Sequence, residues 1–117
     1  MEPSNHSILK IYASTTDKFG SKPFYEHIVY TAKEQGIAGV TVSRGIMGYG
    51  ATSAVSSSRF WELTDKLPVM IEIIDKSEAI ENFYKLIEPD LLKMTKGCLV
   101  SIEPITIKMQ KIGKALK

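Results

Sequence analysis

Residues Gly36 to Gly50, Gly-Ile-Ala-Gly-Val-Thr-Val-Ser-Arg-Gly-Ile-Met-Gly-Tyr-Gly, constrain the fold of this chain more than any other stretch. Five of its eight glycines fall in these fifteen positions. Between them Val40-Thr41-Val42-Ser43 alternates apolar and polar residues, the period of a strand with one buried face. Glycine tolerates positive φ, bulges, and close approach of a ligand or a second chain. The stretch therefore predicts a helix ending at Gly36, a tight turn and a core strand, then an exit bent at Gly45, Gly48 and Gly50. Nothing in it names a reaction, and it suits a small binding or regulatory module better than an enzyme.

The flanks supply the partners of that strand. Ile8 to Ala13 predicts a first strand with Leu9, Ile11 and Ala13 toward the helices. Ser21 is placed to cap a helix and Pro23 to occupy its first turn, where a missing N–H costs nothing. Phe24, Ile28, Val29 and Ala32 then recur at helical spacing. His27 sits at the edge of that stripe and reads as a boundary residue; His6 falls in a terminus expected to be loose. The segment 51–66 carries Thr52, Ser53, Ser56, Ser57 and Ser58, which favour a loop. Arg59 to Lys66 is read as a short helical turn, with Phe60 and Trp61 either packed back on the core or, as preferred for so small a domain, buried against another subunit.

Leu67 to Asp75 is apolar on both alternating faces, which predicts a central strand covered on both sides. Glu72 in that company requires a partner, such as a lysine or arginine across the sheet or a subunit boundary. A second helix is expected to start at a cap on Asp75 or Ser77 with Glu78. It buries Ile80, Phe83, Tyr84 and Ile87, ends or kinks at Pro89, and continues by a further turn to Gly97. Two short strands, 98–102 and 105–109, are expected on either side of Glu103-Pro104.

The order strand, helix, strand, strand, helix, strand predicts an α+β fold, the ferredoxin-like βαββαβ sandwich. Right-handed crossovers then set both helices on one face of an antiparallel sheet. The other face carries Ile8, Tyr12, Thr41, Ser43, Met70, Glu72 and Ile74, too apolar a set for water, so burial by oligomerisation is expected. At 117 residues the chain fits one domain, 1–117, with tails at 1–6 and 111–117.

A net charge of +2 is too small to point to nucleic acid or an anionic membrane. One cysteine, Cys98, excludes an internal disulfide and a cysteine-based metal site. No apolar run approaches the ~20 residues of a membrane span, and the polar start of the chain has no signal-peptide character, which sets the expected location as cytoplasmic. Of fifteen basic residues only Arg44 and Arg59 are arginines, and both flank the glycine-rich exit. A guanidinium there suits a carboxylate or another anion, with a surface salt bridge as the alternative.

Three motifs in this order resemble the PII-like family catalogued as domain of unknown function one-ninety. They are Gly36-Ile37-x-Gly39-x-Thr41-Val42, Arg44-Gly45-Ile46-Met47-Gly48-Tyr49-Gly50, and Leu67-Pro68-Val69-x-Ile71-Glu72-Ile73-x-Asp75. The resemblance spans Ile8 to Met109 and implies a homotrimer with sheets packed inward and kinship to PII signalling proteins. It further implies a small ligand, an adenine nucleotide, in a cleft between subunits near Thr41, Gly48, Tyr49 and Gly50. Arg44, Arg59 and Lys96 are the candidate anion contacts, no metal or catalytic residue is implied, and the loop 51–66 is read by a target protein, a membrane transporter or an enzyme.

The chain also departs from the PII pattern. Thr52 replaces a glutamine, the phosphate loop shrinks to Lys96-Gly97, the C-terminal arginine pair has no match beyond Lys108 and Lys111, and the 51–66 loop has no tyrosine to modify. Two alternatives remain: a metal-handling protein of the related copper-tolerance type, and a purely structural trimer. Two unclustered histidines and one cysteine speak against the metal. An enzyme is disfavoured because no nucleophile sits beside an evident base.

Overall fold

The computed structural model describes residues 5–50, 56–57, 66–94 and 96–113. Its elements in order are β1 (His6–Ser14), β2 (Lys18–Phe19), β3 (Lys22–Pro23), α1 (Phe24–Glu34), β4 (Gly39–Arg44), β5 (Met47–Gly48), β6 (Ser56–Ser57), β7 (Pro68–Lys76), α2 (Ser77–Lys93) and β8 (Leu99–Ile105). The four long strands form one antiparallel sheet in the order β4-β7-β1-β8. β7 is central, as its two apolar faces require.

Alternation along the strands divides the residues between two faces. Leu9 and Ile11 of β1 and Ile71 and Ile73 of β7 meet Phe24, Ile28 and Ala32 of α1 and Ile80, Phe83, Ile87 and Leu91 of α2. Burial of such a side chain contributes about 1.5–3 kcal/mol, so this layer fixes both helices on one side. The antiparallel sheet with two helices is the expected ferredoxin-like α+β arrangement. The opposite face presents three cross-strand rows: Gly39, Ile74, Ile8 and Glu103; Thr41, Glu72, Lys10 and Ser101; Ser43, Met70, Tyr12 and Leu99.

Helix ends depart from expectation in instructive ways. α1 is preceded by Pro23 with no side-chain cap, because Lys18–Phe19 and Lys22–Pro23 pair as a small hairpin around Gly20, whose φ is +64°. At its other end Gly36 adopts φ +74° and donates to the Lys33 carbonyl, while Ile37 donates to Ala32. That double closure is a Schellman motif, and it needs a residue without Cβ strain. α2 starts from Lys76, again without a side-chain cap. Asp75 accepts instead from the Ala38 and Lys76 amides at 3.0 and 2.7 Å, tying the turn after α1 to the end of β7.

Pro89 does not end α2, which runs unbroken to Lys93. An internal proline costs ~3 kcal/mol locally, and burial of Ile87 and Leu91 on either side of it offsets that cost. β8 is likewise one strand through Glu103 and Pro104, not two. As an edge strand it has a free side on which an absent N–H costs nothing. Residues 106–109 form no strand. His6, expected in a loose terminus, belongs to β1, opposite Lys76 and Ile105, and Asn5 accepts from the Ser77 amide at 2.7 Å. Of the turn read over Arg59 to Lys66, residues 59–65, with Phe60 and Trp61, lie outside the described residues.

Candidate functional site

The glycine-rich exit is built on one proline. The Gly45 amide donates to the Pro68 carbonyl at 2.7 Å. A Cβ on Gly45 would lie 3.0 Å from Pro68 Cγ, and one on Gly48 3.1 Å from the same atom. The backbone therefore lies flat on the pyrrolidine ring at two points, an approach only glycine permits without displacement. Met47 and Gly48 then pair with Ser57 and Ser56, which starts a hairpin at the base of the serine-rich loop. Ile46, Met47 and Tyr49 are exposed around it.

Thr41 is exposed in the middle of β4, opposite Glu72, which in turn faces Lys10 on β1. The expected lysine across the sheet is thus present, although Lys10 Nζ bonds Glu103 Oε1 at 2.9 Å on the other side. The hydrogen bond to Glu103, then its charge, hold the Lys10 ammonium above its ordinary range, with smaller contributions from Tyr12 and Glu72. Arg44 is exposed at the end of β4, opposite Val69.

Lys96 follows α2 and leads into β8, at the same end of the sheet as Arg44 but on the opposite edge. Three interstrand steps separate the two edges, about 14 Å at the usual strand spacing. The candidate residues therefore divide. Thr41, Arg44, Gly48, Tyr49 and Gly50 go with the β4 edge and its exit, and Lys96 goes with the β8 edge. Arg59 lies outside the described residues.

One constellation escaped the sequence reading. His27 Nε2 bonds Asp90 Oδ2 at 2.9 Å, and the Phe19 ring stacks on the imidazole with centroids 3.9 Å apart and planes inclined by 13°. One side chain thus joins the β2–β3 hairpin, α1 and α2. The two polar partners are separated by sixty-three positions, and no local spacing signals them. Asp17, buried nearby in sequence, accepts from the Ser14 amide at 2.9 Å through its carboxylate and from the Phe24 amide at 2.8 Å through its carbonyl. Cys98 is an exposed residue, yet neighbouring atoms desolvate its sulfur and, with the Asp17 charge, push the thiol above its ordinary range. Among the described residues no three His, Cys, Asp or Glu side chains gather as a metal site, and no helix is long and apolar enough to cross a membrane.

Comparison with known proteins places these features. The model of the DUF190 family, described as "Uncharacterized ACR", matches residues 6–107. A UPF0166 protein of Aquifex aeolicus is 41% identical over 81 residues, which are 69% of this chain and 77% of the relative. Among solved structures, CPII, a nitrogen regulatory PII-like protein of Thiomonas intermedia K12 bound to ADP, AMP and bicarbonate, superposes with a TM-score of 0.60. It is 14% identical, over 87% of this chain and 89% of that one. A DUF3240 family protein from Shewanella baltica OS155 superposes with a TM-score of 0.63 at 14% identity, over 93% of this chain and 99% of that one. At such identities the likeness is one of fold.

Proposed function

The chain belongs to the DUF190 family, and from that premise we propose that it is a PII-like sensor module. In this reading three copies pack the helix-free faces of their sheets inward. A small ligand, an adenine nucleotide, occupies the cleft between neighbours beside Thr41, Gly48, Tyr49 and Gly50. Arg44, Arg59 and Lys96 meet its anionic groups. The hairpin that starts at Met47 and Gly48 changes its contacts when the ligand enters, and a target protein reads it. The module binds and signals; it does not catalyse.

The division of the candidate residues between opposite sheet edges carries this reading. Residues ~14 Å apart across one sheet can serve a single small ligand if the β4 edge of one subunit meets the β8 edge of the next. Support also comes from the shared fold of CPII, a protein seen with ADP, AMP and bicarbonate.

Calorimetry with ADP, AMP, ATP, bicarbonate and divalent metals, with solution mass measured in parallel, tests the proposal. A nucleotide should bind, and Gly48→Val should abolish binding while leaving the mass unchanged. A valine there pushes the exit off Pro68, because its Cβ alone would lie 3.1 Å from Pro68 Cγ. Unchanged affinity in that variant, or a response to metal alone, would overturn the reading.

A further inference from the structure

The chain leaves the sheet after Arg44 and rejoins it at Pro68, the ring on which Gly45 and Gly48 rest. Proline has no amide to give, so toward β4 Pro68 offers only the carbonyl that accepts from Gly45. Toward β1 its partner in register is Ser14. The Thr15 amide donates to the Leu67 carbonyl at 2.9 Å, which makes 15 and 67 a bonded pair. By antiparallel alternation 14 and 68 are then a pair without bonds. From the β1 side Pro68 is therefore held only through its two neighbours, at the Ala13–Val69 and Thr15–Leu67 rungs.

The second of those rungs depends on a side chain. A bonded antiparallel pair exchanges two backbone bonds, but here the Leu67 amide donates to Thr15 Oγ1, at 3.0 Å. A hydroxyl, and so the identity of residue 15, completes the rung. The turn that presents it is tied down. The Ser14 amide donates to Asp17 Oδ2 at 2.9 Å, and the Asp17 amide donates to the Ser14 carbonyl at 3.1 Å. Asp17 is buried, and its own carbonyl receives the Phe24 amide at the start of α1. Burial of a carboxylate is costly unless it is bonded, so these bonds fix the turn against the helix.

We propose that Thr15 is a positioning residue for the glycine-rich exit: its hydroxyl holds Leu67, and through it Pro68, where Gly45 and Gly48 lie on the ring. The inference rests on the sensor reading above, since the exit is where that reading puts the ligand. Thr15 itself stands outside the candidate site and sets its shape from behind. Leu67 is buried, and a buried amide that loses its acceptor keeps the cost of leaving water. Without the hydroxyl, Leu67 moves to find another partner, and Pro68 moves with it.

Thr15→Val keeps the branched shape and removes the acceptor, while Thr15→Ser keeps the acceptor. Hydrogen exchange followed by NMR reads the hold directly. In Thr15→Val the Leu67 and Gly45 amides should exchange about tenfold faster, and those of Ile11 and Ile71 in the middle of the sheet should be unchanged. Thr15→Ser should restore the native rates, and Thr15→Ala replaces Thr15→Val should that variant fail to fold. Calorimetry with ADP, AMP and ATP should show a loss of affinity by a similar factor in Thr15→Val and its return in Thr15→Ser, at unchanged solution mass. Faster exchange at Leu67 with Gly45 at its native rate would overturn the proposal, as would a Thr15→Ser chain that behaves like Thr15→Val. Nucleotide affinity indifferent to Thr15→Val removes the proposal and leaves the sensor reading standing. A native chain that binds none of the three nucleotides removes the sensor reading, and exchange at Gly45 alone then decides whether Thr15 positions the exit.

Discussion

His27 shows what a single residue can hold together. Its imidazole bonds Asp90 and carries the Phe19 ring, so one side chain fastens a hairpin and two helices. Both polar partners are about a quarter exposed, at 22% and 25% of their side-chain surfaces, which places the bond well below the worth of a dry pair. A double-mutant cycle of His27→Ala and Asp90→Ala should give a coupling of about 1 kcal/mol by urea denaturation. Near-zero coupling would mean that packing alone holds the three elements. Helical periodicity read His27 as a boundary residue, and so it is by burial. Its partner was illegible because a contact over sixty-three positions leaves no mark on local sequence.

At the scale of elements, strand alternation was the most faithful signal. Leu9, Ile11, Ile71 and Ile73 lie on the helix side as the pattern requires, and Gly36 closes α1 with positive φ. Stop signals were less faithful. Pro89 continues a helix and Pro104 a strand, since in each case the surrounding element outweighs or avoids the local cost.

The helix-free face of the sheet makes a pH prediction. Lys10 has its pKa raised in the fold by Glu103. Its bond therefore stabilises the protein fully below the ordinary lysine value of 10.5 and is lost as pH rises through the higher folded value. Urea midpoints of the native chain and Lys10→Met should differ at neutral pH and converge in strongly alkaline buffer. A constant gap across that range would assign the effect to packing of the lysine stem.

On the scale of the whole molecule, the two sides of the sheet have separate tasks. The helix side holds the core, and the other side alternates apolar rows with the charged row of Glu72 and Lys10. Met70, half-buried between Ser43 and Tyr12 on that second side, is the place to separate folding from assembly. Met70→Glu should leave circular dichroism and cooperative unfolding intact and give a monomer in sedimentation. An unchanged mass would show that this face is not what the copies share.

The amino-acid sequence by itself determined the order of the long strands and the two helices, the face each strand buries and the family, because periodicity and glycine spacing act over a few residues. The tertiary structure alone decided that Gly45 and Gly48 rest on Pro68, that Lys10 bonds Glu103, and that the candidate ligand residues stand on two opposite edges. Those are relations between distant segments, fixed only when the sheet sets its register.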